Sequence, residues 1–131
     1  MTKILFICEG NVGRSQMAEA FYNHYTKSID ASSAGTNPKT PEKYIHPTKE
    51  IIAVMKEEGI DISNKKVKTI NKDLIEEKEK IYILCNKILC PDYLLKLDNL
   101  IFWEIDDPYK VNLEGTRKIK ELIKLKILSI V

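Results

Sequence analysis

Short apolar runs alternate with segments of helical periodicity along the whole chain. Runs rich in β-forming residues predict buried strands, because a parallel strand that is covered on both faces has few polar positions. Four such runs are present, at Lys3 to Ile7, Asp30 to Ala34, Ile81 to Cys85 and Leu100 to Ile105. The pattern therefore predicts a sheet whose strands are well separated in sequence.

Apolar residues at helical spacing lie between these runs and after the last one. A first helix is predicted from Ser15, whose hydroxyl suits a cap, and a second from Pro47, which suits a first helical turn. The polar stretch from Asn71 to Lys80 predicts a short amphipathic helix. From about Asn112 the pattern is that of a long amphipathic helix with a cationic C-terminal half. Strands separated by helices favour an α/β fold with a parallel sheet covered on both faces.

Length and composition agree with one folded domain over residues 1–131. The chain has 44% hydrophobic and 31% charged residues, which is typical of a globular protein with its own core. A net charge of +2 is too small to predict a nucleic-acid partner or an anionic membrane surface. No apolar run approaches the roughly 20 residues that span a bilayer. We therefore expect neither a nucleic-acid nor a membrane partner.

The N-terminal residues and the cysteines together suggest a compartment. The apolar run before Cys8 is only four residues long, from Ile4 to Ile7, and no small-residue cleavage site follows, so a secretory signal is not expected. The expected location is the cytoplasm, where structural disulfides are rare. The chain has three cysteines, an odd number, which makes them candidates for chemistry rather than for cross-linking.

The segment between the first strand and the first helix carries the strongest chemical signal. Its eight residues are Cys8, Glu9, Gly10, Asn11, Val12, Gly13, Arg14 and Ser15. Such a loop can turn its backbone N–H groups inward around an anion, and Gly10 and Gly13 permit the φ values that this nest needs. The following helix directs the positive end of its dipole at the same point. We therefore expect residues 9–15 to bind an oxyanion.

Cys8 lies at the base of this loop and is the candidate nucleophile. The helix dipole and the charge of Arg14 favour its thiolate over its thiol, and the planar guanidinium matches a tetrahedral oxyanion. Ser15 is placed to hydrogen-bond the sulfur. A thiolate beneath a bound anion describes nucleophilic attack on the central atom of that anion. The alternative is that Cys8 is a small buried hydrophobic residue, as a lone cysteine at a strand end often is.

These segments resemble the low-molecular-weight protein tyrosine phosphatase superfamily, which includes the thioredoxin-coupled arsenate reductases. The likeness lies in Ile4 to Phe21, Ser33 to Thr36, His46 to Ser63 and Trp103 to Pro108. It implies a three-layer α/β fold with a four-stranded parallel sheet in the order 2-1-3-4 and helices on both faces. It also implies an active site at the C-terminal ends of the strands, as is usual for such sheets.

The resemblance assigns the role of general acid to Asp107. The run Asp106-Asp107-Pro108-Tyr109 follows the fourth predicted strand, at the same sheet edge as Cys8. An oxygen that departs from the attacked atom needs a proton, which a carboxylic acid opposite the nucleophile can supply. In the family the aspartate directly before proline is this acid. From the residues alone, the run is also an ordinary turn signal.

Cys85 and Cys90 separate two hypotheses within the superfamily. In its arsenate reductases a second cysteine attacks the first and releases arsenite, and a third forms the disulfide that thioredoxin reduces. The resemblance gives these roles to Cys85 and Cys90. Their Cys-x4-Cys spacing is shorter than usual for the reductases, and Tyr109 is more typical of the phosphatases, whereas Gln16 is more typical of the reductases.

The leading hypothesis is an arsenate reductase in which Cys8, Cys85 and Cys90 act in turn, with Arg14 and Asp107 at the oxyanion. The alternative is a phosphatase that hydrolyses phosphotyrosine through a phosphocysteine at Cys8, with Asp107 as acid. In that case Cys85 and Cys90 are structural or protect the nucleophile by reversible oxidation. A third possibility is an oxyanion-binding or redox-sensing module with little turnover.

Partners and cofactors follow from the same resemblance. The expected partners are an oxyanion or phosphate-ester substrate and a thioredoxin-like reductant, and the expected state is a monomer. No tightly bound cofactor is expected, and a zinc site is disfavoured because the three cysteines lack a fourth good ligand. Some reductases of the family hold a monovalent cation. Its candidate ligands here are Asn11, Glu19 and Asp61, although a solvated Glu19 is the simpler interpretation.

Overall fold

The computed structural model describes residues 3–107 and 111–131, and a sheet of four parallel strands lies at the centre of this part of the chain. In chain order the strands are β1 (Ile4–Cys8), β2 (Ala31–Gly35), β3 (Lys80–Ile83) and β4 (Leu100–Phe102). Their order across the sheet is β2-β1-β3-β4. The predicted α/β fold and strand order are therefore confirmed.

The central strand β1 is buried along its entire length. Successive side chains of a strand point to opposite faces, so five consecutive buried residues require cover on both sides of the sheet. Six α-helices in the described residues pack around the sheet. They are α1 (Arg14–Thr26), α2 (Thr40–Lys43), α3 (Lys49–Lys56), α4 (Lys72–Ile75), α5 (Asp92–Leu95) and α6 (Leu113–Leu128), and a 3-10 turn spans Lys87–Leu89. None of the helices in the described ranges is long and apolar enough to cross a membrane.

Parallel pairing brings the strand ends together at one edge. Cys8 pairs with Gly35 of β2, and Ile7 pairs with Ile83 of β3. Cys8 and Cys85 thus follow the last β1–β3 pair by one and two residues. This register places the loop after β1 next to the segments that follow the neighbouring strands.

Helix α6 is fixed to the turn after α3 by an ion-pair cluster. The Glu58 carboxylate lies 2.8 Å from the ammonium groups of both Lys120 and Lys124. The Lys120 side chain is only 5% exposed, so its charge depends on this partner and on Glu121. The predicted long helix from Asn112 is confirmed, with the Asn112 side chain accepting a hydrogen bond from the Gly115 N–H.

Several predicted boundaries are wrong, for local reasons. Gly13, and not Ser15, is the N-cap of α1, because the Ser15 hydroxyl lies 3.0 Å from the Cys8 sulfur instead. Helix α3 begins after Thr48 rather than at Pro47, because the Thr48 N–H donates to the Val12 carbonyl and holds this residue outside the helix. Strand β3 ends at Ile83, so Cys85 lies in the following loop.

Two further differences concern segment length. The helix expected between Asn71 and Lys80 is limited to the four residues of α4, and β4 ends at Phe102 rather than at Ile105. Short helices α2 and α5 were not expected, because each has a single turn and no apolar repeat long enough to detect.

Candidate active site

The loop between β1 and α1 is held in place by the backbone that follows β2. The Thr36 N–H donates to the Cys8 carbonyl, and the Asn37 N–H donates to the Glu9 carbonyl, both at 2.9 Å. At its other end the loop runs directly into the first turn of α1 at Arg14. The predicted strand–loop–helix arrangement is present, and it fixes Cys8 at the C-terminal edge of the sheet.

Asn11, rather than a glycine, has the left-handed backbone conformation in this loop. Its φ is 59°, whereas Gly13 has a φ of −142° and Gly10 does not lie in the positive region. The expectation that Gly10 and Gly13 supply the special φ values is therefore wrong. Asparagine tolerates the left-handed region better than most residues, because its side chain forms local hydrogen bonds there.

The fully buried side chain of Asn11 connects the loop to its surroundings. Its Oδ1 accepts hydrogen bonds from the Lys68 backbone N–H at 3.0 Å and from Gln16 Nε2 at 3.1 Å. A backbone N–H can only donate, so the orientation of the Asn11 amide is settled. Its Nδ2 consequently donates, to Ser15 Oγ at 2.7 Å and to Ser33 Oγ at 3.0 Å.

The Cys8 sulfur is surrounded by hydrogen-bond donors. The Asn11 N–H donates to it at 3.2 Å, and the Ser15 hydroxyl lies 3.0 Å away. Since Ser15 already accepts from the Asn11 amide, its own proton is available for the sulfur. Donors of this kind, at the N-terminus of a 13-residue helix, stabilise a thiolate over a thiol. The geometry suits a nucleophile better than an inert core cysteine.

Arg14 is anchored by segments that follow β3 and β4. Its Nη1 donates to the Ile105 carbonyl at 2.8 Å and to the Leu84 carbonyl at 3.3 Å. Its Nη2 lies 3.6 Å from Asp107 Oδ2, and the Arg14 side chain is 6% exposed against 49% for Asp107. The structure therefore brings the predicted oxyanion-binding cation and the predicted acid together. Pro108 and Tyr109 lie outside the described residues.

A cleft of about 870 Å³ opens above this loop. The cleft is lined by seven of the residues that were predicted for the site, namely Cys8, Glu9, Gly10, Val12, Gly13, Arg14 and Asp107. Asn11 and Ser15 are fully buried beneath it, where their side chains support the loop. The opposite wall includes residues that were not expected at the site, namely Lys39, Thr40, Lys43, Tyr44, Thr48 and Lys49.

Cys85 is buried between the other two cysteines. Burial, followed by the nearby sulfurs of Cys90 and Cys8, raises the pKa of the Cys85 thiol to about 12, against a lowering effect of Arg14. Burial also raises the pKa of Cys90, and its hydrogen bond with Cys85 opposes that shift. All three cysteines are free thiols. Cys85 is therefore a protonated thiol in the resting protein.

Cys90 faces a different part of the surface from Cys8. It lines a groove of about 360 Å³ together with Thr36, Pro38, Leu89, Pro91 and Tyr93. Cys8 lines the large cleft, and Cys85 lines neither. Cys8 and Cys90 therefore line different openings, and the buried Cys85 interacts with both of them.

Two contributors to the site were given no role from the sequence. Ser33 accepts from Asn11 and donates to the Glu19 carboxylate at 2.8 Å, although it looks like an ordinary residue of β2. Lys65 lies 3.0 Å from the same carboxylate. Ser33 was noted only as part of the segment Ser33 to Thr36 that resembles the family, and Lys65 had no signal. Both are far from Cys8 along the chain, so their contact with its surroundings is not visible in the sequence.

Comparison with known proteins agrees with this geometry. The model of the low molecular weight phosphotyrosine protein phosphatase family matches residues 3–130. An arsenate reductase of Staphylococcus aureus (strain Newman) is 32% identical over 139 residues, which cover 97% of this chain and 95% of the relative. A glutaredoxin arsenate reductase of Synechocystis is 29% identical over 133 residues, covering 100% of this chain and 97% of the relative.

A solved structure extends the comparison to three dimensions. The low molecular weight protein tyrosine phosphatase from T. tengcongensis has a TM-score of 0.83 and 26% identity to this chain. The match covers 99% of this chain and 97% of that one. By the family model and by its fold, the chain belongs to the low molecular weight phosphotyrosine protein phosphatase family.

Proposed function

We propose that this protein is an arsenate reductase that acts through the thiols of Cys8, Cys85 and Cys90. The observation that carries the proposal is the placement of the three sulfurs: one lines the cleft, one is buried between the others, and one lines the second groove. The relatives of S. aureus and Synechocystis that are named arsenate reductases support it.

The reaction begins with arsenate held by residues 9–15. The Cys8 thiolate attacks arsenic, and Asp107 gives a proton to the oxygen that leaves as water. Deprotonated Cys85 then attacks the Cys8 sulfur. The sulfur–arsenic bond breaks with its electron pair remaining on arsenic, which leaves as arsenite. Two thiols are thereby oxidised to a Cys8–Cys85 disulfide, and attack by Cys90 on Cys85 restores the Cys8 thiolate and leaves a Cys85–Cys90 disulfide.

Cys85 must lose its proton before it can attack the Cys8 sulfur. Burial, followed by the sulfurs of Cys90 and Cys8, raises the pKa of Cys85, whereas Arg14 lowers that pKa. Among these causes Arg14 is the one cation, so its guanidinium favours the Cys85 thiolate that the second step needs.

The surface around Cys90 suits an external reductant. Ile88 is 82% exposed and Leu89 is 42% exposed, in the turn just before Cys90. A thioredoxin-like protein is the proposed electron donor, and the relative named glutaredoxin arsenate reductase makes glutaredoxin the competing donor. The mechanism needs no tightly bound cofactor and no second copy of the chain, so we propose a monomer.

Replacing each of the two later cysteines tests the relay. Arsenate turnover is measured with thioredoxin, thioredoxin reductase and NADPH, and hydrolysis of p-nitrophenyl phosphate is measured in parallel. Cys85→Ser is expected to abolish arsenite release while keeping aryl-phosphate hydrolysis. Cys90→Ser, the matched control, is expected to release arsenite once and then stop. Full arsenate turnover by Cys85→Ser would contradict the relay.

A phosphatase is the second candidate, and the large cleft is the observation that favours it. A volume of about 870 Å³ with Tyr44 in its wall has more room than arsenate requires and could hold an organic phosphate ester. In that reaction Asp107 protonates the leaving alcohol, and water hydrolyses the phosphocysteine. Efficient phosphotyrosine hydrolysis that is unaffected by loss of both Cys85 and Cys90, together with no arsenite formation, would favour this candidate.

A further inference from the structure

A buried carboxylate lies behind the active-site loop, and a lysine pairs with it. Glu19 in α1 is 6% exposed, and its Oε2 lies 3.0 Å from the Lys65 ammonium, whose side chain is 48% exposed. An ionised carboxylate without a partner is costly in such a place, because it has lost most of its water. Lys65 supplies that partner from the loop after α3.

The other oxygen of Glu19 is connected to the nucleophile by hydrogen bonds. The Ser33 hydroxyl donates to Glu19 Oε1 at 2.8 Å, which leaves the Ser33 oxygen as an acceptor for the Asn11 amide at 3.0 Å. That amide also donates to Ser15 at 2.7 Å, and the Ser15 proton is then directed at Cys8. An ionised Glu19 can only accept, so its charge directs the Ser33 proton toward itself and leaves the Ser33 oxygen free to accept from Asn11. Together with the Lys68 N–H, which orients the Asn11 amide, it supports the arrangement that presents donors toward the sulfur.

The family resemblance suggested Asn11, Glu19 and Asp61 as ligands of a monovalent cation. The surroundings of their oxygens in the structure do not suit such a cation. Both lone pairs of Asn11 Oδ1 accept from Lys68 and Gln16, and both Glu19 oxygens have donors. Asp61 is exposed and accepts from the Ser63 N–H. Gln16 Oε1 is buried without a partner in the described residues, but a hard cation needs several oxygen ligands and not one.

We propose that the Lys65 ammonium is a built-in substitute for a dissolved monovalent cation. It balances the Glu19 charge and thereby keeps the hydrogen bonds through Ser33 and Asn11 directed at Ser15 and Cys8. Lys65 is a positioning residue, since it acts on the sulfur through Glu19. The reactivity of Cys8 is accordingly independent of K⁺ and Na⁺. The inference rests on Cys8 as the nucleophile of the proposed function and holds for either of the two candidate reactions.

The test measures the rate at which iodoacetamide alkylates Cys8 at neutral pH, with the modified peptide identified by mass spectrometry. The variants are Lys65→Met and, as matched control, Lys66→Met, which removes the same charge from the adjacent exposed lysine. We expect Lys65→Met to react about fivefold more slowly than the control, the size of effect that a partly exposed ion pair can have. Thermal unfolding confirms that both variants are folded. Equal rates for the two variants would overturn the proposal.

Two further comparisons separate a positioning role from a purely structural one. In a Glu19→Gln background, Lys65→Met is expected to have no additional effect on alkylation, because the charge that Lys65 balances is absent. A full additional effect would contradict the proposal.

The second comparison uses the wild-type protein, for which KCl and choline chloride at equal ionic strength should give the same alkylation rate. A several-fold acceleration by K⁺ would mean that the site takes a dissolved cation after all. Alkylation needs neither arsenate nor a reductant, so these results are independent of whether the relay operates.

Discussion

A Cβ atom at Gly35 would lie 2.7 Å from the carbonyl oxygen of Glu9 and 2.9 Å from the carbonyl carbon of Gly10. The end of β2 and the active-site loop therefore touch through backbone atoms alone. This contact explains how the loop can be pinned by the hydrogen bonds from Thr36 and Asn37 while remaining next to the last residue of β1. Any side chain at position 35 would have to push the loop away.

Gly35→Ala is expected to lower both stability and activity. The extra methyl group overpacks a backbone contact, which typically costs about 1–3 kcal/mol of unfolding free energy. Its displacement of the loop should also slow alkylation of Cys8 and arsenate turnover in the folded protein. Denaturant unfolding measures the loss of stability, and the rates of Cys8 alkylation and of arsenate turnover measure the effect on the site.

Gly59→Ala is the control for that experiment. Gly59 has a φ of +78° and no neighbour within 4 Å, so an alanine there costs about 1 kcal/mol by backbone strain alone. It should lower stability without changing the rates of the folded protein. If Gly35→Ala left both rates unchanged, the close contact would not matter for the site.

Ser15→Ala is expected to reduce arsenate turnover by about a hundredfold, because it removes a donor that is aimed at the reacting sulfur. In the proposed relay this donor stabilises the Cys8 thiolate before attack, and again when Cys8 leaves the Cys8–Cys85 disulfide. Turnover and the rate of Cys8 alkylation should fall together. An unchanged alkylation rate would show that the hydroxyl does not act on the thiolate.

The stability of the protein should depend on pH through Cys85. The pKa of its thiol is raised to about 12 in the folded protein, against about 8.5 for an unperturbed cysteine. Between these two pH values the Cys85 thiol loses its proton in the unfolded chain but retains it in the folded protein. The contribution of Cys85 to the free energy of unfolding is therefore fully present below about pH 8.5 and declines as the pH rises.

Urea unfolding of the wild type and of Cys85→Ala under reducing conditions measures this contribution. The free energy of unfolding of the wild type, relative to that of the variant, should decrease between about pH 8 and about pH 10.5. A difference that stays constant over this range would contradict the burial of a protonated thiol at position 85.

Glu58→Gln is expected to destabilise the protein by about 2 kcal/mol at neutral pH, because it leaves the buried Lys120 without its 2.8 Å partner. Hydrogen bonds from Lys120 and Lys124 lower the pKa of Glu58. This stabilisation is therefore present above about pH 4.3, the ordinary value for glutamate, and is lost as the pH falls through the lowered value.

Denaturant unfolding at neutral and strongly acidic pH checks this sign. The difference between wild type and Glu58→Gln should close at low pH. Glu121→Gln serves as the control, since Glu121 is 54% exposed and its loss should cost much less. Equal effects of the two substitutions would mean that α6 is not fixed to the chain after α3 through Glu58.

Much of the fold could be predicted because it depends on local patterns. The β1 run is apolar because both of its faces are covered, and the Asn112 cap and amphipathic repeat of α6 are visible in a short window of sequence. The position of Cys8 followed from the strand, loop and helix in direct succession. That Asp107 lines the same cleft as Cys8 could be expected from the edge that parallel strands share.

The remaining features depend on contacts between distant segments. Lys65 reaches Glu19 because the chain after α3 passes behind the loop between β1 and α1. No periodic pattern in the sequence predicts that course of the chain. The left-handed residue of the loop is Asn11, since its buried side chain forms hydrogen bonds that a glycine could not form. Sequence spacing alone favoured the neighbouring glycines, which are the usual residues for that conformation.

A single turnover without any reductant tests the thiol relay of Cys8, Cys85 and Cys90. Fully reduced protein is mixed with one equivalent of arsenate, and arsenite, free thiols and disulfide-linked peptides are then quantified. If the relay operates, the protein releases one arsenite per chain, loses two thiols, and holds a disulfide between Cys85 and Cys90 with Cys8 free. Three free thiols and no arsenite, in a protein that hydrolyses p-nitrophenyl phosphate, would contradict it.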